Sequence, residues 1–160
     1  MQIRYATQQD MQQLAWIEMI SYPQAESASK ESMEKRVTIF PNHFWVLEEG
    51  GTICAFINGM VTDFADLTDE MYDHADLHND KGKWQMIFSV ATAPQHRGKG
   101  YAGAIMKRVI SDARRQNRAG IVLTCKARLL GFYSKFGFEN EGISKSTHGG
   151  ATWYQMRLIF

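Results

Sequence analysis

Gln95-His96-Arg97-Gly98-Lys99-Gly100 is the segment whose residue types and spacing point most directly to chemistry. Before it lies an apolar strand candidate, Trp84 to Val90. After it comes a periodic helix with Ala102, Ile105, Met106, Val109, Ile110 and Ala113 on one face. Main-chain N–H groups in such a turn, and the positive end of the helix dipole behind them, converge on an anion. Gly98 and Gly100 let the backbone come close to it, and Arg97 and Lys99 add positive charge. The expected ligand carries phosphate.

Gly98-Lys99-Gly100-Tyr101-Ala102-Gly103 also spells G-x-G-x-x-G. A dinucleotide site, however, needs its first glycine at the strand end and an acidic residue about 20 positions on, closing the next strand. Here Ala91 to Arg97 intervene, and the later strand ends Leu123-Thr124-Cys125. No G-K-[ST] offers a triphosphate site. His74 and His78, beside Asp73 and Asp76, have a spacing that places two metal ligands on one helical face. The segment is polar throughout and lacks H-E-x-x-H, so no metal is expected. Cys54 and Cys125 form no metal or redox spacing and read as reduced, partly buried thiols. Cys125 reads as a small core residue, not as a nucleophile.

The elements that must position these groups follow from pattern. Ile3 to Tyr5 is a short strand. Thr7 caps a helix with Asp10 at its third position, and Tyr22-Pro23 ends it. A second helix runs from Ser29 to Phe40 and stops before Pro41. Phe44 to Leu47 and Thr52 to Val61 flank Glu49-Gly50-Gly51 as a hairpin. Asp63 to Gly82 is a polar connection with room for a helical turn. Ile121 to Cys125 is an apolar strand, Leu129 to Phe136 a short helix closed by Gly137, and strands start at Phe138 and Thr152. This order predicts a mixed α/β fold with helices on both faces of one sheet.

The 160 residues suit a single domain, 1–160, with a core of its own. A net charge of +1 speaks against a general nucleic-acid surface. No apolar run reaches membrane-spanning length and Met1-Gln2-Ile3-Arg4 starts no signal peptide, so the expected compartment is the cytoplasm. Charge is segregated. Asp63 to Asp80 holds seven acidic residues and no Lys or Arg, whereas Gln95 to Lys135 holds ten basic residues and only Asp112 against them. The first segment would attract a cation and the second an anion, unless both are simply solvated faces.

Gln95-x-x-Gly98-x-Gly100, after a hydrophobic strand and opening a helix, resembles the acetyl-CoA signature of the GCN5-related N-acetyltransferases (GNAT). The element order resembles that family over essentially the whole chain. Gly131-Phe132-Tyr133-Ser134-Lys135-Phe136-Gly137-Phe138 is similar to its late F-Y-x-x-x-G-F segment. Leu67-Thr68-x-Glu70, the same aromatic block and the run from His148 to Met156 more narrowly resemble the serotonin (arylalkylamine) N-acetyltransferase branch.

The resemblance implies a central, mixed, mostly antiparallel sheet of about seven strands flanked by about four helices. It implies that N–H groups from Arg97 to Ala102, within Gln95, His96, Arg97, Gly98, Lys99, Gly100, Tyr101 and Ala102, hold the CoA pyrophosphate. The edge of Phe88, Ser89 and Val90 would take the pantetheine arm as an added strand, and one of its N–H groups would polarise the thioester carbonyl. Tyr133 would serve the departing thiolate. The branch's two basic histidines align with Trp84 and Met86, which take no proton. Replacements are His148, Glu26, His74 and Glu18, with His148 first because it precedes the strand that lines the acceptor pocket. Tyr22, Phe64, Tyr72 and Trp84 would wall that pocket.

The implied activity is direct transfer of acetyl from acetyl-CoA to a small aryl- or alkylamine or a polyamine, without a metal. The alternatives are a protein or peptide amine as acceptor, or a CoA-binding regulatory module without turnover. The late strand in this architecture offers a homodimer contact.

Overall fold

In the computed structural model, which describes residues 1–160, the chain runs β1 (Gln2–Tyr5), α1 (Met11–Ser21), α2 (Lys30–Ile39), β2 (Phe44–Glu49), β3 (Thr52–Asn58), β4 (Val61–Thr62), α3 (Asp69–Asp73), β5 (Trp84–Ile87), β6 (Ser89–Thr92), α4 (Tyr101–Arg115), β7 (Gly120–Cys125), α5 (Leu130–Ser134), β8 (Glu139–Ile143) and β9 (Tyr154–Ile159). The strands form two sheets, ordered β1-β2-β3-β6 and β4-β5-β7-β9-β8. Every pairing is antiparallel except β5 with β7. The expected mixed α/β architecture is present, with nine strands and five α-helices. The count exceeds the expectation because Val61–Thr62 is a strand of its own and Trp84–Val90 divides into β5 and β6.

Period-two alternation sets the layers. On β2, Trp45 and Leu47 pack with Ile105, Met106 and Val109 of α4. Phe44 and Val46 pack with Met11, Leu14 and Ile17 of α1 and with Met33 and Val37 of α2. A strand covered on both faces reads as the continuous apolar run seen in the sequence. The start of α1 follows from Asp10, whose carboxylate accepts the Thr7 N–H at 2.8 Å and pairs with Arg4.

The apolar face of α4 carries one acid. Asp112 is 1% exposed and accepts hydrogen bonds from Trp45 Nε1 (2.9 Å), Tyr5 Oη (3.2 Å), Arg108 and Arg115. Burial pushes its pKa up, but the bonds from Trp45 and the two arginines outweigh this and hold it below the ordinary value. Asp112→Ala leaves the buried Trp45 indole N–H without its acceptor and should cost about 1–3 kcal/mol. Urea titration at pH 7 checks this. The sign follows from linkage. A lowered native pKa stabilises above the unfolded value near ~4, so the gap between wild type and variant should shrink as pH falls through the native pKa.

The break at Phe88 positions the site. Phe88 N–H donates to the Asn58 carbonyl at 2.7 Å, while Ser89 is the register partner of the same Asn58. Two residues opposite one make a β-bulge, which bends the strand. Beyond it β6 stays with β3, whereas β5 before it runs beside β7. The two sheets part here, and α4 begins just past the end of β6.

Candidate active site

Where the sheets part, a cavity of about 740 Å³ runs from the glycine turn (Arg97, Gly98, Ala102) past Phe88, Ser89 and Val90 to Glu18, Tyr22, Arg36, Tyr72 and His148. The turn behaves as the residue types predict. Gly98 and Gly100 have φ of 80° and 79°, the left-handed region that glycine occupies without strain. A Cβ built on either meets no atom of the chain within 4 Å, so backbone conformation, not internal crowding, demands glycine. The N–H groups of Gly98 through Gly103 have no hydrogen-bond acceptor within the chain. One expectation is corrected: the Arg97 N–H is bound to the Pro94 carbonyl at 3.3 Å, so the open run starts at Gly98.

The rest of the turn divides. Arg97 lines the cavity, and its Nε donates to the Thr92 carbonyl at 3.2 Å. Gln95, His96, Lys99, Gly100 and Tyr101 lie outside the cavity wall. Tyr101 donates its hydroxyl to Glu49 at 2.7 Å, and Lys99 approaches His96 Nδ1 at 3.3 Å. Ala102 lies on the wall at the first turn of α4.

The strand edge differs from expectation. Phe88 N–H is spent on Asn58, and Ser89 is paired within the β3–β6 ladder. Val90 faces the cavity with both main-chain groups, but the Tyr22 hydroxyl takes them. It donates to the Val90 carbonyl at 2.9 Å and accepts the Val90 N–H at 3.0 Å. A pantetheine arm that pairs with Val90 must therefore displace Tyr22. Phe88 N–H cannot polarise a thioester carbonyl while it serves the bulge.

Tyr133 lines the cavity, 5% exposed, with its ring set edge-on against Phe132 and Phe138. Its hydroxyl has no partner in the chain. Burial, with the Cys125 thiol and Tyr72 nearby, raises its pKa well above that of free phenol. Cys125 is 2% exposed at the end of β7, and burial pushes its thiol up to about 11. It stays protonated, as suits a wall residue.

Among the four proposed bases the structure separates two from the rest. His148 stacks on Tyr72, with ring centroids 4.5 Å apart and planes 8° from parallel, and its Nε2 lies 2.7 Å from the Glu26 carbonyl. A carbonyl only accepts, so Nε2 holds the proton and Nδ1 is the ring's proton acceptor. Glu18 is 2% exposed; Oε2 accepts the Ala28 N–H at 3.0 Å and Oε1 has no partner. Burial raises its pKa against the opposing bonds from Ala28 and Ser89. Glu26 is tied to Lys126 at 2.9 Å. His74 is exposed and away from the cavity.

Three more expectations are corrected. Of the proposed aromatic wall, Tyr22 and Tyr72 line the cavity, but Phe64 is 65% exposed and Trp84 lies beneath the Arg157 guanidinium, 4.7 Å from it. The acidic segment is mostly tied down rather than aimed at a ligand. Asp66 pairs with Arg157 at 2.7 Å, Asp69 accepts from Ser146 and Thr147, and Asp80 lies 2.7 Å from His78. Of its acidic residues only Asp73 reaches the cavity wall. His74 and His78 do not share a helical face, because α3 ends at Asp73. His78 meets His43 and Asp80 instead.

Sequence reasoning missed Arg36. It sits 2% exposed on α2, at the cavity wall over the Phe88 ring. Arg36 follows the strongly polar stretch Lys30-Glu31-Ser32-Met33-Glu34-Lys35, and the one signal was its place three residues after Met33 and beside Val37, on the apolar stripe of the helix.

Comparison with known proteins places this geometry. The sequence pattern of the "Acetyltransferase (GNAT) family" matches residues 9–138. A mouse protein, "Probable N-acetyltransferase family 8 member 5", is 28% identical over 103 residues, covering 62% of this chain and 39% of that protein. The chain thus spans about two fifths of that relative's length. Among solved structures, the GphF GNAT-like decarboxylase in complex with isobutyryl-CoA superposes with a TM-score of 0.86 at 19% identity, over 99% of both chains. The ribosomal-protein-S18-alanine N-acetyltransferase from Escherichia coli superposes with a TM-score of 0.72 at 16% identity, over 99% of this chain and 92% of that one. At these identities the likeness is one of fold.

Proposed function

The chain belongs to the acetyltransferase (GNAT) family, and on that premise we propose that it moves the acetyl group of acetyl-CoA directly to a primary amine of small size. The observation that carries this reading is the run of open N–H groups from Gly98 to Gly103 at the head of α4, beside the parted sheets. Those amides and the helix dipole would hold the pyrophosphate, and the cavity would lead the thioester toward Tyr133.

The acceptor end supports a small amine over a protein. Four segments are tied together around it: His148 Nε2 to the Glu26 carbonyl, Glu26 to Lys126, and Asp69 to the Thr147 N–H. Within the family, the likeness to the arylalkylamine branch rests on the motif around Leu67 and on the closing run. Met86 is fully buried and Trp84 is held by Arg157, so an indoleamine acceptor is no part of the proposal.

An alkylammonium of pKa ~10 is about one part in a thousand neutral at pH 7, a cost of roughly 4 kcal/mol. His148, with Nδ1 as acceptor, would take the amine proton directly or through water. His148→Gln keeps the size and a donor toward Glu26 but removes the base. It should lower kcat about 100-fold. An unchanged kcat would pass the role to Glu18.

The reading is tested by calorimetry with acetyl-CoA and NADH, followed by a thiol-release assay over an amine panel. Acetyl-CoA binding with thiol release on addition of an amine is expected. Heat from NADH alone would overturn the assignment. Acetyl-CoA binding without thiol release from any amine, protein or peptide would favour a regulatory module.

A further inference from the structure

Arg36 is a buried cation without an anion. Its guanidinium donates from Nη1 to Asn58 Oδ1 at 3.1 Å and from Nη2 to the Tyr72 carbonyl at 3.0 Å, and it lies 4.8 Å from the Phe88 ring centroid. These partners are all neutral. The contrast within the chain is sharp. Arg157, 9% exposed, holds Asp66 and Glu141, and Arg4 holds Asp10 and Glu48. Arg36 is buried more deeply than either, yet it makes no ion pair; the nearest carboxylates, Glu18 and Asp73, act on its charge only through space. Burying an unpaired charge is among the more costly things a fold can do. Two polar atoms beside it remain unpartnered, Arg36 Nε and Asn58 Nδ2. Both are donors, so what the pair lacks is an acceptor. Glu18, on the same cavity wall, shows the opposite deficit: its Oε1 is an unpartnered acceptor.

We propose that Arg36 receives a carboxylate carried by one of the two reactants. If the acceptor brings it, the substrate is an amino acid or similar zwitterion, with its carboxylate toward Arg36. If the acyl group brings it, the donor is the CoA thioester of a dicarboxylic acid. The chemistry is the same in both, a carboxylate against a planar guanidinium that has donors to spare. This rests on the acyl-transfer reading above and narrows it.

Matched reactants decide the matter on the wild-type chain. With acetyl-CoA fixed, α-amino acids are compared with their amides and with the amines that lack the carboxyl group. The expected kcat/KM ratio of acid to amide for the preferred side chain is about 100. With the acceptor omitted, malonyl-CoA and succinyl-CoA are compared with acetyl-CoA by calorimetry. At least about tenfold tighter binding of a carboxylated thioester is the alternative form of the same result. In either case Arg36→Gln should bring the ratio close to one, and Arg36→Lys should keep part of it. Because Arg36 is buried, its variants also perturb the fold, and the wild-type ratios stand as the test alone. Turnover of amines with no gain from a carboxylate on either reactant overturns the inference and leaves the acyl-transfer reading intact. Failure to bind any acyl-CoA overturns both.

Discussion

Tyr133→Phe should lower kcat about 100-fold and leave CoA affinity within about twofold. The acyl-transfer reaction generates a thiolate, and thiolate in an apolar cavity needs a donor. Tyr133 is 5% exposed, and its hydroxyl has no competing partner in the chain. Its pKa is raised, first by burial and then by Cys125 and Tyr72. A phenol near its ordinary pKa of ~10 is already about 2 kcal/mol too weak an acid to protonate a thiolate of pKa ~8.5. Raising it further makes full proton transfer less favourable still. Tyr133 would therefore act by donating a hydrogen bond that strengthens as charge reaches sulfur, which acts on the transition state and not on ground-state binding. Phe fits the same space between Phe132 and Phe138, so stability should hold, as a thermal melt will verify. Single-turnover kinetics isolates the chemical step. Normal single-turnover rates in the variant would remove Tyr133 from the mechanism.

The parts of the fold that local chemistry dictates could be read from the sequence. The Thr7–Asp10 box, the buried stripe of α4 and the left-handed glycines at 98 and 100 each depend on residues a few positions apart. What escaped reading depends on partners far along the chain. Trp84 to Val90 looks like one strand because nothing in its composition reveals that Phe88 and Ser89 will share Asn58 and send the two halves to different sheets. The acidic segment looks like a cation-attracting surface until Asp66 meets Arg157, 91 positions away. Tyr22 was legible as an aromatic of the cavity wall. Its hydroxyl's seat on Val90, 68 positions away, was not. Arg36 is the clearest case. Its polar neighbours mask its place on the stripe with Met33 and Val37, and only the assembled fold sets it on the cavity wall. These misses concentrate at the site, where function tolerates unpaired charge and open main-chain groups that local rules forbid.

Gly100→Val should weaken acetyl-CoA binding at least about 100-fold, the largest loss of affinity expected from any single change in the turn. Two effects have to be told apart. Gly100 has φ 79° and ψ 16° at the residue before α4, so any side chain there is strained, at a cost of about 1–2 kcal/mol in stability. That cost falls on the fold. The second effect falls on the ligand. A Cβ at Gly100 meets no atom of the chain within 4 Å, so bulk added there would press on the ligand if the neighbouring N–H groups hold the pyrophosphate. Gly100→Ala carries most of the strain and little of the bulk. If bulk matters, Ala and Val should destabilise the fold to similar degrees in urea, while affinity falls far more for Val. Desulfo-CoA and pantetheine extend the comparison. Desulfo-CoA retains the pyrophosphate and should lose affinity in parallel with acetyl-CoA. Pantetheine lacks it and should bind wild type and variant alike. Equal affinity of both variants and wild type for acetyl-CoA would mean that the phosphates sit elsewhere, and the route from the turn to Tyr133 would have to be abandoned.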